Sequence, residues 1–453
     1  ALNSLSGSDN SSISAGTGNI ITDSTGSAVV VGRENSLSGS ENSSVLAGSE
    51  NIIKESKRSS IGAGSGNYVS GDSSFIGAGN QNEVFKDSSA VLAGQDNRVS
   101  GNLSIIGGGV FNTGLGERGS ILGGRNNLIG GDTDSASILG GRGNEIKSGD
   151  QSALLGGRDN EISGDYSSLV GGSGNSLFGD GIVLLGGKGN TASGQFVTLF
   201  AGENNNVTGV ASTIVVGRNN NLLNSDDSVI NAGTGNQLTN TTGSSVVAGS
   251  ANSIKESNDS SIVAGTGNLL SGSSDSSITA GVANKIKSSS KSLVGVGSGN
   301  LESGSESSAL IGGSDNKIEN SKTSIIGAGS GNLVENSTGS VLFGGNSNTM
   351  SGNRSVLVGG SGNKVFGDET VLIGGKTNTA SGQFINLFAG ENNNATQDIA
   401  QQDDGDKFGM WDGVFARCLL NIFGVIMFLR VPWMVAYAGI FNSLLIILIS
   451  VSI

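Results

Sequence analysis

The sequence predicts an all-β parallel β-solenoid of 15–16-residue coils over residues 1–396, followed by a truncated α-helical transmembrane segment. Three observations predict it. An asparagine returns every 15 or 16 residues, 25 times from Asn19 to Asn393, with a single step of 17. Each of these asparagines is preceded by glycine three residues earlier and by Ile, Val or Leu six residues earlier. After an acidic polar linker, 397–410, residues 411–453 form an apolar run whose only charges beyond Val414 are Arg417 and Arg430.

Each repeated position has a physical cause. The fixed glycine, as at Gly64, Gly94 and Gly124, suits a corner with positive φ, where a Cβ would be unfavourable in every coil. The apolar residue six before the anchor (Ile61, Val91, Ile121, Leu154) and the one two after it (Ile53, Val69, Ile146) place like on like once per turn. Stacked at the strand spacing of about 4.8 Å, they build internal ladders and a rod about 120 Å long for some 25 coils. Gly114 and Glu302 break the second pattern. The anchors themselves, among them Asn67, Asn97 and Asn127, are expected to stack in line and pass amide hydrogen bonds between coils. A helical reading fails on the 78 glycines, each costing about 1 kcal/mol against alanine in a helix. A longer repeat overlies the short one. Gly172–Asn206 and Gly360–Asn394 are near-copies offset by 188 residues, so a block of about a dozen coils has been duplicated.

Composition removes most chemistry from the solenoid. Histidine is absent, which excludes imidazole acid–base catalysis, Ser–His–Asp triads and His–Cys zinc sites. The single cysteine, Cys418, lies in the apolar tail and can form no internal disulfide. The net charge of −13, of which −11 falls on the repeat, has the wrong sign for a nucleic-acid surface. Gly-Gly-x-Gly-x-Asp calcium repeats need carboxylates at a period of about nine, whereas the anchor here is neutral and spaced at 15–16. No metal is expected in the solenoid. Gly374–Thr377 lacks the first glycine of a phosphate loop, since Thr370 stands there. Regular Thr-x-Thr rows of an ice-binding face are missing. The chain is expected not to be an enzyme and to need no cofactor.

The phrase GGKGNTASG, Gly186–Gly194, resembles the head repeats of trimeric autotransporter adhesins, which are parallel β-rolls. That resemblance implies the same architecture here. A coil this short encloses a thin core of about three apolar side chains per turn, and small cores are marginal. The solenoid is therefore expected to self-associate through the residue beside the ladder: Leu46, Leu92, Leu122 and Leu155.

The tail follows different physics. Gly413 to Gly439 gives 27 residues, enough for a span that needs about 20, and Ile440 to Ile453 would begin a second. Asn421 and Gly424 interrupt the first span and Arg430 follows closely, groups that a plain anchor avoids in lipid. GVFARCLLNIFGVIMFLRVPWMVAYAGI, Gly413–Ile440, resembles the first transmembrane helix of the cation–chloride cotransporters. The resemblance implies a broken helix lining an ion pathway. In it, Asn421 and Ile422 would offer oxygens to potassium, and Gly424, Val425 and Ile426 backbone amides to chloride. Leu420 and Phe423 would stand at the sodium site of sodium-coupled members.

Two functions follow as expectations. The first is a fragment of a multi-pass membrane transporter, carrying K+ or Na+ with Cl− as symport partners, contacting membrane lipid and bearing a large structural solenoid. The second is a structural or adhesive surface solenoid whose tail is a membrane anchor or a gene-model fusion. The cotransporter resemblance puts the solenoid in the cytoplasm, while an adhesin faces outward.

Overall fold

Asparagine and glycine set the corner from which each coil starts. Asn67 donates its side-chain amide to Asn51 Oδ1 at 2.9 Å and to the Gly79 carbonyl at 2.9 Å, in the coils on either side. The chain reaches that corner through Gly64 at φ +111°, where a Cβ would lie 2.0 Å from the Gly79 carbonyl oxygen. Gly94 and Gly124 repeat the geometry at φ +112° and +96°.

The structure, a computed structural model, describes residues 2–388 and 390–396. Every regular element among them is a short β-strand. One coil serves for all. After Asn51 comes the strand Ile52–Lys54, then a corner, a single bridge at Lys57, and the strand Ser60–Ile61. The glycine corner, a bridge at Ser65 and the next anchor, Asn67, close the turn. Strands pair only with their counterparts one coil away, always parallel and, outside two adjacent bulges, in register: Ile53 opposite Val69, Val45 opposite Ile61. The strands after the anchors form a 26-stranded sheet, and the other 25 of the 51 form a second one. The result is a parallel β-solenoid of about 24 turns.

The single 17-residue step, between Asn127 and Asn144, is absorbed locally. The strand Leu128–Asp132 shifts register between Ile129 and Asp132, so the extra residue leaves the ladder while Ile129 stays opposite Ile146. Such a bulge keeps the inward alternation that a slipped register would destroy.

The core is thinner than the sequence suggests. Ile61, Val91, Ile121 and Leu154 are fully buried, as are their partners two residues after the anchors. That gives two apolar side chains per coil, not three. A third appears only where Ala136, Ile182, Val197 or Ile385 replaces a serine eight residues before an anchor. Polar ladders fill the rest of the interior. Ser59 donates to the Gly71 carbonyl at 2.7 Å, and its Oγ accepts from the Ser74 amide at 3.0 Å. Because parallel strands leave no side-chain pair unmatched along the axis, serine and asparagine can be buried with their hydrogen bonds complete.

Candidate functional site

The asparagine ladder is the most regular polar feature of the molecule. Asn97 donates its side-chain amide to Asn82 Oδ1 at 3.0 Å and to the Gly109 carbonyl at 2.9 Å. Its own Oδ1 accepts from the Asn112 backbone amide at 3.0 Å and side-chain amide at 3.1 Å. Asn127 does the same toward Asn112, and its side-chain Oδ1 still accepts from the Asn144 backbone amide at 3.1 Å across the bulge. All three asparagines are buried. Their donors and acceptors are spent between coils, so the ladder is chemically closed to ligands.

The acidic corner looks more inviting and proves to be similar. Asp150, Asp165 and Asp180 stand in successive coils, each accepting the backbone amide of the preceding member of the row: Asp134 to Asp150 at 2.7 Å, Asp150 to Asp165 at 2.8 Å, Asp165 to Asp180 at 3.0 Å. These carboxylates cap peptide groups that the corner leaves free of the sheet. Asp134 is also paired with the Arg118 guanidinium, which lowers its pKa. Among the described residues no group of three or more His, Cys, Asp or Glu side chains is placed to hold a metal.

A shallow, open depression of about 580 Å³ lies beside Glu203, Val216, Arg218 and Thr234. Arg218 and Glu203 are ion-paired across it at 3.3 Å. An open, solvent-screened pair of this kind neither activates a nucleophile nor excludes water from a reaction.

Two residues that break the repeat stand out once burial is known. Glu302 is fully buried in the apolar ladder between Ile286 and Ile318, and neither carboxylate oxygen has a hydrogen-bond partner. Burial pushes its carboxyl up to about 8, and the nearby Ser292 hydroxyl counters this only in part. Glu302 is therefore a neutral acid at pH 7. Gly114, 188 residues earlier and thus at the offset of the duplicated block, leaves a void: a Cβ there would meet nothing within 4 Å. The sequence marks both as exceptions, yet only their inward orientation gives them consequence. The serine ladders were missed altogether. Their signal was present, as serine recurs five residues after and eight before many anchors, but serine in a Gly/Ser-rich chain reads as loop.

The ion-pathway residues, Leu420, Asn421, Ile422, Phe423, Gly424, Val425 and Ile426, lie outside the described residues, as does the whole of 397–453. Among the described residues no helix is long and apolar enough to cross a membrane.

No family model matches the chain. Short stretches do match known proteins. Solute carrier family 12 member 3 of Mus musculus is 58% identical over 45 residues, 10% of this chain and 4% of that protein. Solute carrier family 12 member 8 of Mus musculus is 52% identical over 40 residues, 9% of this chain and 6% of its own length. The bumetanide-sensitive sodium-(potassium)-chloride cotransporter of Manduca sexta is 59% identical over 46 residues, 10% of this chain and 4% of that protein. The chain thus spans only a small part of the relatives it matches. What it shares with the cation–chloride cotransporters of solute carrier family 12 is a local similarity over about a tenth of its length.

Proposed function

We propose that this chain is part of a cation–chloride cotransporter-like membrane protein, in which residues 411–453 supply the first transmembrane helix and the start of the second. The supporting observation is the run of 52–59% identical matches to solute carrier family 12 proteins. We assign those matches to the apolar tail, where NIFGV, FLR and Trp433 follow one another. On this reading the helix breaks around Asn421–Val425. An unwound turn frees carbonyls for a cation and amides for an anion within one short segment. Asn421 and Ile422 then face potassium, Gly424 to Ile426 face chloride, and Leu420 and Phe423 border a sodium position. The solenoid is scaffold. It is not an enzyme and uses no cofactor.

The test is ion flux. In the full-length protein, Gly424→Val and Asn421→Ala should each abolish chloride-dependent rubidium uptake while membrane insertion is retained, since neither change lowers hydropathy. Uptake unchanged by both would show that the tail is only an anchor.

A structural or adhesive role for the solenoid is the second reading, favoured by the size of a rod whose buried polar groups, Asn221 Oδ1, Ser253 Oγ and the Glu302 carboxylate apart, are committed to its own coils. The two readings differ in sidedness. Protease digestion of intact cells that removes the solenoid would favour the adhesive role, and protection until the membrane is permeabilised would favour the transporter.

A further inference from the structure

We infer that the outer face of the second sheet is a docking surface for a second copy of this chain. Each coil offers three solvent-facing positions on that side: seven, five and four residues before its anchor. From the coil of Asn19 to that of Asn378 not one of them is Asp, Glu, Lys or Arg, in a chain with 25 basic and 38 acidic residues. The outer face of the first sheet carries charge freely at the equivalent positions, with Glu83, Arg98, Glu145, Glu161, Lys285 and Lys317 among its residues. Charge is thus excluded from one side of the rod along its whole length.

The position five before the anchor forms an exposed apolar ridge. Leu122, Leu139, Leu155, Val170, Leu185 and Phe200 follow in six successive coils, each 40–59% exposed. Beside the ridge runs a row of glycines: Gly123, Gly140, Gly156, Gly171 and Gly186. None has positive φ, and a Cβ on any of them would meet nothing within 4 Å. Neither backbone conformation nor packing within the chain requires glycine there. A surface approaching closely from outside does.

The occupant is argued from the same geometry. Ridge and groove lie side by side and repeat at the rise of one coil, about 4.8 Å. A copy turned to face this one sets its leucine ridge into the opposing glycine groove, and the converse, which is the self-complementarity of an isologous interface. A partner without this period would match only an occasional coil. The ridge and groove fix the register over six coils, and the charge-free face around them, two dozen coils long and about 10 Å wide, offers roughly 1,100 Å² per copy, or about 2,200 Å² in total, within the range of stable dimers. Exposed apolar side chains recur along that face from Val30 to Val358, which is unusual for a monomer, although Gly62, Gly77, Gly107, Asn231, Gly295 and Gly327 interrupt the ridge itself. The strip also shields the long edge of a core only two apolar residues thick.

Sedimentation of the full chain in detergent tests the inference. The wild type should sediment as an oligomer. Leu122→Glu, Leu139→Glu and Leu155→Glu combined should weaken association by more than about tenfold, because each buries a like charge against its mate. The same charge added to the other face, Leu128→Glu with Ser163→Glu and Leu223→Glu, should leave association intact. A second measurement does not depend on the glutamates being tolerated. In a Cys418→Ser background, maleimide labelling of Leu155→Cys should slow as protein concentration rises, while labelling of Ser163→Cys should not. A monomeric wild type, an oligomer that survives the first triple substitution, or labelling at 155 independent of concentration would each overturn the proposal.

Discussion

Glu302 is the only charged residue among those described that the fold takes wholly out of water. Lys285, Lys287, Lys317 and Glu319, on the neighbouring strands, are all at least partly exposed, so no cation compensates it from within. An unfolded chain gives up this proton near pH 4.5 and the native coil near 8. Between those values the native state holds the extra proton. The contribution to stability is therefore full below about pH 4.5, falls by about 1.4 kcal/mol per pH unit through the window, and levels off above about 8. Hydrogen exchange of the Ile286–Ile318 amides, corrected for intrinsic rates, should show that slope, and Glu302→Leu should remove it. A slope that survives the substitution would place its origin elsewhere. At Gly114 the defect is of the opposite kind, missing volume instead of misplaced polarity. Gly114→Ala should stabilise its coil by about 1 kcal/mol, combining a filled void with a less flexible unfolded chain. Slower exchange at Val99 and Ile129 would report it, and faster exchange would mean that the void is unable to take a methyl group.

At the scale of the coil, the corner before the anchor was legible because one residue type holds it in every repeat. The other corners were not. Glu50, Asp96, Phe111 and Asn126 all adopt φ between +52° and +58° one residue before their anchors, and Arg58, Lys291 and Thr323 adopt φ between +47° and +57° at another corner. Such conformations cost about 1 kcal/mol or more each, and sequence gives no warning when the residue is not glycine. What fixes them is the ladder on either side, whose hydrogen bonds leave the chain no other path. The ladder should accordingly be costly to interrupt. Asn97→Ala removes the acceptor for two amide donors of Asn112 and the donor to the Gly109 carbonyl, all in a buried strip. We expect a loss of about 3 kcal/mol or more in local stability, seen as accelerated exchange at Asn82, Asn97 and Asn112. A change below about 1 kcal/mol would mean that water replaces the lost partners and that the strip is less sealed than its burial implies. Asparagine's role was legible in outline, since a neutral residue repeated at every coil start has few uses other than stacking. Which atoms it engages was not, because spacing says nothing of donors.

At the scale of the molecule, contacts run only between adjacent coils, so stability is a sum of coil and interface terms and not one global quantity. Sequence showed the period and hence the architecture. It held the charge-free face too, but three offsets from an anchor become one surface only when the strand alternation and the corner positions are known. The same one-dimensional logic predicts that a disturbance stays local. Val29 and Val45 are sealed, and each pairs only with the coils on either side. Amide exchange at Val29, Val45 and Ile61 should proceed by local opening and not by global unfolding. Placing Val29→Ala should hasten exchange in the coils of Ile13 and Val45 and leave that of Val246 untouched, because no contact joins them. An effect of Val29→Ala that reaches Val246 would show that the rod opens as a single cooperative unit.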